Sequence, residues 1–152
     1  MLSGNHFGWD DENNAFEDLR RALAILVKRY PINTSKIVLA GVSQGSELAL
    51  VALFSDFATV TKFISVIPSF SGFSYQLTDA DSLRNKKENI RGCFIVGEQD
   101  PRFNRTKTVF KLLRENGVEC QLFSYPELGH QIPDDFDQVL AKAVDFVLRE
   151  KL

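Results

Sequence analysis

The chain is poor in the residues that metal centres and disulfide frameworks need, with two cysteines and two histidines among 152 residues. His6 and His130 stand far apart, as do Cys93 and Cys120, so a structural zinc site has no motif behind it. Both cysteines fall inside apolar runs, which favours reduced core thiols over a disulfide or a metal pair. Nothing calls for a metal or an organic cofactor. Excess charge is missing too: 18 Lys and Arg against 20 Asp and Glu leave a formal net charge of −2, with no block of five like charges. That balance offers no general attraction for nucleic acid or an anionic membrane. No apolar stretch is long enough to span a bilayer, and the first residues lack a basic segment followed by an apolar one. A cytoplasmic protein is therefore expected. Repeats, low-complexity tracts and linkers are also lacking. With 44% hydrophobic and 25% charged residues, a chain of this length fits one soluble globular domain over residues 1–152.

What the chain does have is an alternation of strand-like and helix-like segments. Asp10 or Asp11 caps a predicted helix running to about Arg29, with Phe16, Leu19, Leu23, Leu26 and Val27 at helical spacing and Pro31 and Asn33 beyond its end. Residues 36–40 (KIVLA), 63–68 (FISVIP) and 93–96 (CFIV) read as buried strands, and residues 118–125 (VECQLFSY) alternate as an edge strand does. Helices are predicted over 46–54, over 104–116 with Gly117 as terminator, and from Pro133 onward, with a further short helix over 79–85. This order implies an α/β fold: a parallel sheet of about four strands with flanking helices.

The segment Gly41-Val42-Ser43-Gln44-Gly45 lies between the first strand and its helix. A serine in such a sharp strand-to-helix turn needs strained backbone dihedrals, and glycines two residues before and after it remove β-carbons that would collide. The turn lifts the hydroxyl above the sheet and aims the first helix amides, Gln44 foremost, at an oxyanion. The bland reading is a glycine-rich turn with an incidental hydroxyl. What favours the nucleophile is the acid and histidine that follow in order: Asp100 after the third strand and His130 after the fourth. Function in an open parallel sheet collects at the carboxyl ends of the strands, so all three face one crevice. His130 suits a general base and Asp100 suits its orienting partner. Asp100 before Pro101 also fits an ordinary turn, Glu98 is the nearby substitute acid, and His130 also fits a loop residue near a helix start. His6 reads as solvated or pocket-lining. In the segment 69–76, Phe70, Phe73 and Tyr75 fit an apolar substrate pocket, and core packing accounts equally well for at least one of them.

With these motifs in place, the chain resembles the α/β-hydrolase superfamily over nearly its whole length. Ala40-Gly41-Val42-Ser43-Gln44-Gly45 looks like the elbow of the phospholipase/carboxylesterase and acyl-protein thioesterase-like branch, Gly97-Glu98-Gln99-Asp100 like its acid turn, and Gly129-His130 like its histidine loop. Ser46 stands where a third glycine is frequent. The resemblance implies a serine hydrolase acting on a small ester or thioester through an acyl-enzyme, with Ser43, His130 and Asp100 as the triad. It also implies that this chain corresponds to the C-terminal half of the fold, without the first four strands. One oxyanion donor, the Gln44 N–H, has a counterpart; the second, from a loop after an earlier strand, has none. The strand at 36–40 would then be an exposed apolar edge, which invites pairing with another chain. The alternative expectation is a catalytically weak hydrolase-like domain that works by self-association, as a homo-oligomer, or through a partner covering that edge. A third is that Met1 is an internal start and the physiological polypeptide is longer.

Overall fold

The computed structural model describes residues 12–54, 60–70 and 90–149. In chain order the elements are α1 (Glu12–Arg29), β1 (Leu39–Val42), α2 (Gln44–Phe54), β2 (Lys62–Val66), β3 (Arg91–Gly97), α3 (Phe103–Glu115), β4 (Glu119–Tyr125) and α4 (Phe136–Leu148). The strands form one sheet in the order β1-β2-β3-β4, every pair parallel, as the alternation predicts. The predicted helix over 79–85 and most of the loop over 69–76 lie outside the described residues.

Boundaries shift where local side chains intervene. The first strand begins at Leu39 rather than Lys36, because Thr34–Lys36 form a 3-10 turn that the Asn33 side chain caps by accepting the Ser35 N–H at 3.0 Å. The helix after Ser43 begins at Gln44, two residues earlier than its apolar run suggests. The second strand ends at Val66, because Ile67 turns into the left-handed region at φ 40°. The last helix starts at Phe136 rather than Pro133, whose carbonyl accepts the Phe136 N–H at 3.1 Å.

Strand periodicity divides the core into two layers. On one face Leu39, Phe63 and Phe94 pack with α2, with Val109 and Leu113 of α3, and with Phe16, Leu19 and Leu23 of α1. On the other, Ile64, Val66, Cys93 and Ile95 pack under Val139, Ala143, Phe146 and Val147 of α4. Phe94 meets Phe63 and Phe110 edge to face, at ring separations of 5.3 and 6.2 Å. Burial pushes both thiols, Cys93 and Cys120, up to about 12, and neither is in a disulfide. The buried Arg91 ties the lower end of the sheet together: its guanidinium pairs with Glu119 at 2.8 Å and donates to the carbonyls of Phe146 and Arg149 at the end of α4.

Two parts of the surface depart from the periodicity. Leu26 and Val27, which the helical spacing places toward the core, are exposed together with Ile25 and Tyr30. The packed part of α1 is the stretch carrying Phe16, Leu19 and Leu23, and no described element covers its last turns. On β1, Ala40 and Val42 share the face that α4 covers over β2 and β3, but α4 does not extend over β1, and Val42 is 44% exposed.

Candidate active site

Ser43 joins β1 to α2 with φ 54°, a left-handed conformation that strains a side-chain-bearing residue. Neighbouring backbone holds it there. Its N–H donates to the Val66 carbonyl at 2.9 Å, and its own carbonyl accepts the Ser46 N–H at 3.1 Å, the Ser46 hydroxyl at 2.8 Å and the Ser69 N–H at 3.3 Å. The turn is tight enough that a β-carbon on Gly41 would lie 2.1 Å from the Gly45 carbonyl oxygen, so glycine is required at 41. Gln44 is the first residue of α2, which sets its amide beside the serine at the positive end of the helix dipole.

The acid and the histidine arrive from β3 and β4. Asp100 follows β3, with its side chain fully buried, and its Oδ1 accepts the Arg102 N–H at 2.9 Å. That Asx-type turn fixes the carboxylate and leaves Oδ2 for His130 Nδ1, 2.6 Å away. His130 Nε2 lies 3.1 Å from Ser43 Oγ. With the ring proton on Nδ1, the Nε2 lone pair faces the serine hydroxyl, as proton transfer between them requires. The His130 side chain is 33% exposed, so one side of the ring is open to solvent.

The histidine must cross the crests of β2 and β3 to reach Ser43, roughly 14 Å at the usual strand spacing. Gly97 makes the crossing close. A β-carbon there would stand 2.0 Å from the Leu128 carbonyl, which instead accepts the Gln99 N–H at 2.9 Å. The Asp-Pro pair hints at the Arg102 amide; Gly97 opens the motif that resembles the family's acid turn, but nothing in the sequence shows that the histidine loop packs against it.

Ser43, His130 and Asp100 thus come together from three strands. Glu98, the substitute acid, turns to β4 instead, where its carboxylate accepts the Ser124 hydroxyl at 2.6 Å. Phe70 is buried in the core with φ 43°, which matches its core reading. Phe73, Tyr75 and His6 lie outside the described residues. A cavity of about 560 Å³ opens beside the histidine loop, between Tyr125, Leu128, Pro133 and Asp135, without including Ser43, Asp100 or His130. Burial and a hydrogen bond to Asp135 push the Tyr125 phenol up to about 12. Among the described residues no group of three or more His, Cys, Asp and Glu is placed to hold a metal ion, and no helix is long and apolar enough to cross a membrane.

Comparison with known proteins bears on the family and the fold. Residues 9–148 match the phospholipase/carboxylesterase family model. A probable SOBER1-like carboxylesterase of Arabidopsis thaliana is 27% identical over 135 residues, covering 86% of this chain and 50% of that protein. An uncharacterised protein from Bacillus cereus superposes with a TM-score of 0.81 at 23% identity, over 98% of this chain and 48% of that one. Crystalline SOBER1 of Arabidopsis thaliana superposes with a TM-score of 0.67 at 20% identity, over 93% of this chain and 68% of that one. The chain spans about half the length of the SOBER1-like carboxylesterase and of the Bacillus protein.

Proposed function

Because the chain belongs to the phospholipase/carboxylesterase family, we propose that it is a serine hydrolase for ester or thioester bonds, working through an acyl-enzyme on Ser43. The observation that carries this reading is the unbroken run of contacts from Ser43 Oγ to His130 Nε2 at 3.1 Å and from His130 Nδ1 to Asp100 Oδ2 at 2.6 Å. The Ser43 hydroxyl attacks the substrate carbonyl while its proton passes to His130 Nε2. Asp100 holds the ring in the tautomer that makes this transfer possible and stabilises the imidazolium that results. The Gln44 N–H, at the head of α2, stabilises the oxyanion. Collapse of the tetrahedral intermediate breaks the bond to the alcohol or thiol, which leaves with the proton from His130. Water then attacks the acyl-serine by the same route, releasing the carboxylic acid and returning the proton to Ser43. Phe73 and Tyr75 are proposed to line the acyl pocket.

An active-site serine phosphonate tests the assignment. It is expected to label the wild-type chain once, on Ser43, and to leave Ser43→Ala unlabelled; a label that persists in that variant would remove the reading.

A second reading rests on the β1 edge, where Ala40 and Val42 are exposed in a chain about half as long as the SOBER1-like carboxylesterase and the Bacillus protein. It assigns the domain to association, with a second copy or another polypeptide on that edge and little turnover on its own. Solution mass separates the two. A monomer with ester turnover supports the hydrolase, and an obligate dimer without turnover supports the association module.

A further inference from the structure

Helix α2 is apolar and buried from Leu48 onward, and its one charged residue is Glu47, a fully buried side chain one turn after Ser43. A carboxylate placed in such surroundings is costly unless its oxygens are used. Its Oε2 accepts the hydroxyl of Ser69, at 3.4 Å, and Ser69 is itself buried. Ser69 faces two ways: its N–H donates to the Ser43 carbonyl at 3.3 Å. One residue therefore connects the buried carboxylate to the backbone of the nucleophile.

The backbone around Ser69 is unusual in the same place. Among the described residues, the non-glycine residues with positive φ are Ser43 at 54°, Ile67 at 40° and Phe70 at 43°. All three belong to two adjoining turns, the elbow after β1 and the crest after β2. For a β-branched residue such as Ile67 this conformation is an outlier, and it persists only where the surroundings over-determine it. The restraints are visible: the Ile67 N–H bonds to the Ile95 carbonyl at 2.7 Å, and the Ser43 N–H bonds to the Val66 carbonyl at 2.9 Å. Downstream of Pro68, Ser69 bonds to both the elbow and α2, and Phe70 packs in the core layer to which α2 contributes.

We propose that Glu47 is a positioning residue for the Ser43 nucleophile: its buried carboxylate holds Ser69, and through Ser69 the strained 67–70 crest, against the elbow that carries the serine. The inference rests on the hydrolase reading, since it assigns Glu47 a part in aiming that hydroxyl. It explains why a helix that needs only apolar residues for packing carries a carboxylate on its buried surface. The step is one of placement and adds no proton transfer. A displacement of about 1 Å at a reacting group is enough to cost on the order of 10²-fold in turnover.

The experiment is steady-state hydrolysis of a p-nitrophenyl ester, together with the rate of phosphonate labelling of Ser43, in Glu47→Leu, Glu47→Gln, Ser69→Ala and Glu47→Leu/Ser69→Ala. Glu47→Leu is expected to lower kcat by about 10- to 100-fold with KM within about twofold, since only the reacting geometry is disturbed. Glu47→Gln, which keeps an acceptor of the same size, should recover to within about fivefold of wild type, and Ser69→Ala should lose about 3- to 10-fold in kcat. The double variant should be no slower than Glu47→Leu, because both changes cut one link. A folded Glu47→Leu with wild-type kcat, a loss confined to KM, or a glutamine variant no better than leucine would each overturn the proposal. If Glu47→Leu does not fold, Ser69→Ala and Glu47→Gln decide: wild-type kcat in Ser69→Ala overturns it. A wild-type chain with neither turnover nor label removes the hydrolase reading and this inference together, whereas an active wild type with unaffected variants removes the inference alone.

Discussion

β1 and β4 are the two outer strands of the sheet, each paired with one described neighbour, yet their surfaces differ. Along β4 the exposed side chains, Glu119, Gln121 and Ser124, are all polar, as suits an outer strand that makes no further pairing. Along β1 the exposed residues are Ala40 and Val42, with the exposed Leu26 and Val27 on the helix that precedes it. One edge is finished and the other is left apolar. The chemistry divides along the same line. The β1 edge ends in Ser43, fixed by strain and backbone bonds, and β4 sends His130 across two crests to meet it. The geometry thus joins the elbow at the end of the apolar-edged β1 to the loop after β4, with Asp100 between them.

The largest expected effect comes from cutting that coupling. His130→Ala should lower kcat by roughly 10⁴- to 10⁶-fold and Asp100→Asn by roughly 10⁴-fold in ester hydrolysis, whereas Glu98→Gln, on the β4 side, should change it by less than about twofold. Equal losses for the two acids would break the distinction between them. Next comes the crossing itself: Gly97→Ala places a β-carbon 2.0 Å from the Leu128 carbonyl. Displacing the histidine loop by that contact should cost about 10²-fold in kcat and roughly 1–3 kcal/mol in denaturant-measured stability.

The edges give a smaller and sharper contrast. Val42→Lys on β1 should suppress self-association at high concentration, read by light scattering, while Gln121→Lys on β4 leaves it unchanged, both within about 0.5 kcal/mol of wild-type stability. A further contrast, confined to alkaline pH, concerns the buried thiols. The thiols of Cys93 and Cys120 are raised by burial from 9.0 to about 12, so the folded state keeps protons that the unfolded state releases. Their contribution to stability is complete below about pH 9 and is lost as pH rises from there toward 12. Melting temperature should therefore fall with increasing pH across that window, and the fall should be shallower in Cys120→Ala; an equal slope would remove the thiols as its cause.

Much of this was legible in the sequence because the signals are local. The FISVIP and CFIV runs mark strands buried on both faces, the alternation in residues 118–125 marks an edge, and Gly-x-Ser-x-Gly followed in order by Asp100 and His130 marks the three residues that the fold brings together; KIVLA, which reads as a buried strand, instead leads into an outer strand whose Ala40 and Val42 are exposed. What escaped depends on contacts between segments. The late start of β1 follows from an Asn33 cap, the exposure of Leu26 and Val27 follows from where α1 finds a partner, and the need for glycine at 97 follows from a loop arriving 31 residues later, at Leu128. The buried Glu47 belongs to the same class, since sequence periodicity registers it only as a charge in the first turn of a helix.

Whether Ser43, His130 and Asp100 act as one acyl-transfer unit is decided by the pre-steady-state reaction of this chain with a p-nitrophenyl ester. The account predicts a burst of about one equivalent of p-nitrophenol, with the acyl group found by peptide mass spectrometry on Ser43 and absent in His130→Ala. Turnover without an acyl-serine, or an acyl group on another residue, would contradict it.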